Sequence, residues 1–264
     1  TLKCLDKLLK DINESLKSYT DEYIRGLIIM VCQRLSDDPV PKDTLKLVVH
    51  KVLSIAKVLI VADVFKLVKE GLDMISMISK VPNVLESFNE YALECQLNED
   101  LTQIHPHVGY VTSLADVYAL CIRTSVLTID DLSFVWQSQA FSHSSDYEFF
   151  YRLFILIVKA VDAKDLADFA RIILDVPEES AGWLKFIHQT LLEIIKIDSN
   201  SEGLLILGER IKEIALGEDP LSPVAFKQLS GVVAFGRTSE SKQEIFTSLF
   251  SYLSRDALTT LQVF

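Results

Sequence analysis

The chain has 264 residues, 49% of them hydrophobic and 24% charged, a composition that excludes a disordered polypeptide. Its net charge is −11, from 37 acids against 26 bases. Lys and Arg are spread singly with no basic stripe, so nucleic acid is not an expected partner. A mean hydropathy of +0.27 is high. The most apolar runs, Val58–Val61 and Phe149–Val158, are nevertheless short and carry Asp63 and Arg152, whereas a bilayer takes about 20 consecutive apolar residues. No membrane insertion is expected. The excess apolarity implies helices buried on two sides, as in the inner layers of a solenoid.

No Asn-Gly or Asp-Gly hairpin signal is present, and apolar residues recur at helical spacing. Leu2, Leu5, Leu8, Leu9, Ile12 and Leu16 form the buried stripe of a first helix. Thr20 then caps a second, with Tyr23, Ile24, Leu27, Ile28, Val31 and Leu35 inward. Ser36–Pro41 is a loop, because Pro39 and Pro41 cannot continue a helix. From Thr44 an apolar helical stretch runs to about Glu70, with a break near Asp63. Gly71 and Pro82 punctuate the next segment, and helices near 83–96 and 110–123 flank the irregular His105-Pro106-His107 segment.

Thr128 and Asp131 have the spacing of a capping box and open a helix containing Leu132, Val135 and Trp136. Asp146 caps an apolar helix from Tyr147 to Val161, and Asp162 caps another through Asp175. Pro177 suits a first-turn position and leads a helix to Ile197. Helices then cover Leu204–Leu216, the stretch from the Gly217–Pro223 loop to Gly236, and that from a second capping box at Ser241 and Glu244 to Leu253. Helix pairs starting near 129, 163, 203 and 241 have a period of roughly 35 to 40 residues, the interval of HEAT and armadillo repeats. The predicted fold is therefore all-α: an α-α superhelix of stacked helix pairs forming one continuous solenoid. Residues 1–126 make an irregular helical-repeat part and 127–264 the regular pairs. The apolar stripe at the start and Leu261–Phe264 at the end lack the polar face of a terminal repeat, so a segment of a longer chain is expected.

Patterns that carry chemistry are missing from the sequence. Gly231–Gly236 has no Lys-Ser/Thr and follows a helix, so its glycines suit close helix packing and a helix end rather than a phosphate loop. His105 and His107 stand two apart without a cysteine pair, which is no zinc spacing. Cys4, Cys32, Cys95 and Cys121 are far apart among apolar neighbours. They read as buried thiols of a reducing compartment, cytoplasm or nucleus. None has the base or helix N-terminus that makes a nucleophile, and Glu94 beside Cys95 would raise that thiol's pKa. Asp130-Asp131 and Glu178-Glu179 sit at helix starts, where the macrodipole favours negative charge. No catalytic, cofactor-binding or metal residue is assigned, and this segment is not expected to be an enzyme.

The stretch Leu127-Thr128-Ile129-Asp130-Asp131-Leu132-Ser133-Phe134-Val135-Trp136-Gln137-Ser138-Gln139, followed by His143, resembles a segment in the helical-repeat region of giant ubiquitin-specific proteases of the fat-facets type. In that family a "Leu-Thr, acid, Leu, Ile-Trp-x-Ala-Gln" helix precedes a Lys-His and a long amphipathic helix. The Trp, the Gln and the later His match. Ser138 replaces the Ala, and Phe141-Ser142 replaces the small-basic pair. The likeness covers about 127 to 197. It implies a non-catalytic scaffold flanking a papain-like protease domain, whose Cys and His boxes this chain lacks. The implied partners are other proteins: ubiquitin-conjugated substrates or the rest of a parent chain. Independently of the family, Trp136 reads as packing at a junction between repeats. Gln137, Gln139 and His143 read as partners for backbone groups where a helix ends. Two other classes fit the pattern: an α-solenoid adaptor in transport, ribonucleoprotein assembly or ubiquitin ligation, and an all-α enzyme, for which a large apolar pocket with converging polar groups would speak.

Overall fold

The computed structural model describes residues 3, 7, 26, 29–35, 41–62, 64–138, 147–175, 180–198, 201–217 and 220–238. Among them all regular structure is helical and no strand occurs. Contacts divide the chain into two compact units, Thr1–Asp131 and Leu132–Phe264, a boundary at 131/132 where the sequence pattern suggests 126/127. Lys3, Lys7, Gly26 and 29–35 are helical, and Val31 is buried as expected. The rest of the two N-terminal helices, the Thr20 cap, positions 36–40, the Asp146 and Pro177 helix starts, the Ser241 capping box and the C-terminal 239–264 lie outside the described residues.

In the first unit α1 is Lys42–Val61, α2 Phe65–Ile78, α3 Leu85–Glu94, α4 Leu97–Thr102 and α5 Val111–Arg123. The break expected near Asp63 falls between α1 and α2. Leu45, Val48, Val49, Val52, Leu53, Ile55, Ala56, Leu59 and Ile60 are all buried on α1, a surface too broad for a single neighbour. It is covered by α2 and also by α3 and α4, while α2 packs on α5. Polar ties record the register. Lys42 pairs with Glu86 at 2.8 Å, Lys46 with Glu90, both 44 residues apart, and Lys57 with Asp100 at 3.0 Å. Bonded positions thus advance together along α1 and along α3–α4, so these run parallel. Lys42–Glu86 is exposed and the other two pairs are only partly buried, so they add little stability; the apolar burial holds the helices and the charges mark how they align.

Gly71 does not punctuate the chain. It lies inside α2, where a Cβ would stand 2.7 Å from the Ala56 carbonyl oxygen of α1, so the missing side chain allows close helix approach. Pro82 does mark a turn, with Asn83 at φ 62°. The short α4 escapes the sequence pattern because Leu97 and Leu101, both buried, are its only full apolar step. Gln96 at φ 55°, ψ 43° redirects the chain into it. Tyr118 of α5 anchors α4 by donating its hydroxyl to the Leu101 carbonyl at 2.7 Å. His105-Pro106-His107 forms the irregular link, held by the Tyr110 hydroxyl on the His105 carbonyl at 2.7 Å.

Next come α6 (Ile129–Ser138), α7 (Tyr147–Ile157), 3₁₀ turns at Val158–Ala160 and Ala163–Asp165, α8 (Leu166–Leu174), α9 (Ala181–Ile197), α10 (Glu202–Leu216) and α11 (Ser222–Thr238). In the second unit α9 packs on α7 and α11, α8 on α10, and α10 also meets α9 and α11. The Thr128 capping box forms in both directions. Asp131 N–H donates to Thr128 Oγ1 at 3.2 Å, and Thr128 N–H to the Asp131 carboxylate at 2.8 Å. Ser180 caps α9 by accepting from Trp183 N–H at 3.1 Å, and Ser201 caps α10 by accepting from Gly203 N–H at 3.1 Å. Asp162 is not the side-chain cap expected of it. It precedes a 3₁₀ turn and makes no capping bond, its carboxylate lying 4.0 Å from Lys164. No described helix is long and apolar enough to cross a membrane.

Gly203 repeats the Gly71 device, since a Cβ there would stand 2.4 Å from the Leu166 carbonyl oxygen. Gly71→Ala and Gly203→Ala should each cost about 1–3 kcal/mol by overpacking, read as a lower urea midpoint. Gly182→Ala, whose Cβ would meet nothing nearer than 3.7 Å, should be neutral or gain a few tenths of a kcal/mol from helix propensity. Equal effects at all three positions would contradict the packing.

Candidate functional site

The sequence motif singles out Trp136, Gln137, Gln139 and His143. Trp136 is fully buried. Phe154 meets its ring edge-on at 4.8 Å between centroids and Phe186 stacks on it at 5.5 Å. Its Nε1–H donates to the carbonyl of Asp175, the C-cap of α8, at 2.9 Å. Trp183, also fully buried, donates its Nε1–H to the Ile173 carbonyl at 3.2 Å. Both indoles therefore satisfy carbonyls of the last turn of one helix, groups that have no partner within the helix itself. With no free face, Trp136 has nothing to offer a ligand; it packs. Gln137 is exposed and bonds no other described residue, and the segment just past the end of α6 lies outside the described residues. Gln139 and His143 lie outside the described residues.

Thiol chemistry is disfavoured by burial. Cys121 is buried, Cys32 and Cys95 are half-buried, and none of the three is in a disulfide; Cys4 lies outside the described residues. Desolvation pushes the Cys32 thiol up to about 11 and raises Cys121 as well. Cys95 is also raised, by burial first and further by Asp100 rather than by the Glu94 expected to do so. Lys57 opposes that shift without reversing it. His105 and His107 are exposed. His107 Nδ1 accepts from Gly109 N–H at 3.0 Å, and its ring packs edge-on against Phe65 at 4.6 Å.

His188 on α9 differs from these. Its Nε2 is buried without a hydrogen-bond partner and faces Gly231 of α11, where a Cβ would stand 2.9 Å away. The glycine expected to permit close helix packing does so against this ring, and burial lowers the imidazole pKa.

A cavity of about 450 Å³ opens in the first unit between the C-terminal ends of α2 and α5 and the first residue of α3. Lys80, Asp116 and Arg123 supply its charges, Ser76, Ser79 and Thr124 its hydroxyls, and Leu85 and Leu120 apolar surface. Sequence motifs do not reveal it, because its residues come from three helices. The trace they leave is a cation at each of two helix ends, one helix pair apart.

Compared with protein families, curated proteins and solved structures, the chain finds no match.

Trp136→Ala should lower stability by about 3–5 kcal/mol, and Gln137→Ala should stay within about 0.5 kcal/mol, both by chemical denaturation. Burial lowers the His188 pKa in the fold, so the unfolded chain takes up that proton first as pH falls. Stability should decline below the unfolded imidazole pKa of about 6.5. His188→Gln should flatten that part of the pH–stability curve; an unchanged slope would show that another group carries it.

Proposed function

We propose that the chain is a non-catalytic protein-interaction scaffold, an α-α superhelix of stacked helix pairs that flanks the cysteine-protease domain of a large deubiquitinating enzyme. One observation carries the architecture: ties between helices recur about one helix pair apart. Lys42 and Lys46 reach acids 44 residues on, and the Ser113 hydroxyl reaches Asp73 across 40. Trp136 reaches Asp175 across 39, and Arg171 reaches Glu202 across 31. Repeats of two helices, each meeting its counterpart in the next repeat, produce this spacing. They also present long surfaces suited to protein partners. The deubiquitinase parent is supported by the likeness of 127–139 to the fat-facets type. The non-catalytic role is supported by the raised thiols, and a cytoplasmic or nuclear location by thiols that are not joined in disulfides.

A second reading, an α-solenoid adaptor of an unrelated pathway, is favoured by Trp136 itself. The residue that carries the likeness is a packing residue, which any stack of helix pairs can use. Cys and His boxes elsewhere in the parent coding sequence would decide for the protease, and their absence for the adaptor.

Two measurements test the scaffold. Incubated with fluorogenic ubiquitin and a ubiquitin electrophile, the chain should release no fluorophore and form no adduct; labelling of any cysteine would overturn the non-catalytic reading. In a stack with nearest-neighbour coupling, Gly71→Ala should speed hydrogen exchange across α1, α2 and α3 while α8 to α10 keep their protection. Uniform loss of protection would mean one closed cooperative domain instead.

A further inference from the structure

The geometry points to the cavity between α2, α3 and α5 as a binding site for the carboxylate of an acidic peptide, a Glu or Asp side chain next to an aliphatic residue. The inference takes its class of partner from the scaffold reading above.

The cations of the cavity differ from the lysines of α1 and α2. Every lysine of α1 and α2 has a partner. Lys80, just past α2, and Arg123, the last residue of α5, are exposed and pair with no described residue. Both line the same cavity. Beneath them lies Ser76, only 9% exposed, whose hydroxyl has no partner among the described residues and which also lines the cavity. Its hydroxyl opens into the cavity, where it can donate to an entering oxygen anion.

The other hydroxyls clear the way for an anion. Ser79 donates to the Ser76 carbonyl at 2.9 Å and Thr124 to the Leu120 carbonyl at 2.9 Å. Carbonyls at the two helix ends are thereby occupied rather than turned on a negative guest. The third wall is the start of α3 at Leu85, which has no side-chain cap and whose dipole presents its positive end, offset in part by Glu86 in the same turn.

Charge balance selects the anion. Lys80 and Arg123 against Asp116 leave a lining of one net positive charge, which a carboxylate neutralises. A phosphate dianion would leave an excess negative charge facing Asp116. The guanidinium fork also matches a carboxylate in a bidentate pair. Leu85, which is 50% exposed, and Leu120 then offer contact to a neighbouring aliphatic side chain. A volume of about 450 Å³ holds one or two side chains, not a whole folded element.

The test is a methyl NMR titration of the full chain with acetyl-Glu-Leu-amide, read at Leu85, Ala119 and Leu120. Saturable shifts are expected there at millimolar peptide, with affinity falling as salt rises. Acetyl-Gln-Leu-amide should bind about tenfold or more weakly, a loss of about 1.4 kcal/mol. Lys80→Met and Arg123→Met, both at exposed positions, should each weaken binding to a similar degree, and Asp116→Asn should tighten it. Absent shifts, or shifts indifferent to both cation variants, would overturn the site. Tighter binding of inorganic phosphate would overturn the choice of carboxylate. Acetate binding as well as the dipeptide would overturn the peptide, leaving a small free acid as ligand. Failure here would not alter the ubiquitin-probe or exchange results, and adduct formation with the ubiquitin probe would sink the scaffold reading while leaving these methyl shifts as they are.

Discussion

A helix whose apolar surface is broader than one neighbour can cover has to be buried twice, and both units are arranged around that requirement. On α1 the buried positions spread from Leu45 to Ile60, and on α9 from Trp183 to Ile195. Each is met by a sequence neighbour and by the helix one pair removed. The hydrophobic effect is non-directional and proportional to area, so it fixes that these surfaces close without fixing their alignment. Alignment comes from features with geometry: a glycine where backbones must touch, a capped helix start, an indole aimed at a carbonyl, a lysine opposite an acid.

Helix ends are where these directional features gather. The last turn of α8 has orphan carbonyls, and two tryptophans 47 positions apart in sequence (183 − 136) converge on it. The starts of α9 and α10 take serine caps. At the ends of α2 and α5, by contrast, side-chain hydroxyls satisfy carbonyls while Lys80 and Arg123 are left over. Two cations that pair with no described residue converge there on one cavity with the Ser76 hydroxyl, whereas Trp136 is enclosed on every side.

Legibility in the sequence tracks the range of the interaction. Long periodic stretches such as Lys42–Val61 declare themselves because every turn repeats the signal. The Thr128 capping box does so because its two halves are three residues apart. Gly71 misleads: the local rule makes glycine a breaker, whereas the Ala56 backbone across the interface makes it a helix-packing position. Asp162 has the right chemistry for a cap but precedes a 3₁₀ turn, where it makes no capping bond. Ser180 is obscured by Pro177, and α4 by being barely longer than one apolar step. Gln137 shares a motif with Trp136 but not its surroundings, one facing water and the other the core. The cavity is illegible without the fold, since nothing local joins Ser76 to Arg123.

Both tryptophans of the chain, Trp136 and Trp183, belong to the unit Leu132–Phe264. Intrinsic emission excited at the long-wavelength edge of the indole band is therefore a probe of half the molecule. It reports the core around the end of α8 and is blind to whatever happens among α1 to α5. A melt followed by emission alone would record the second unit and be taken for the whole. Only a signal that weighs all helices equally, such as far-ultraviolet dichroism, would reveal whether the silent half departs at the same temperature.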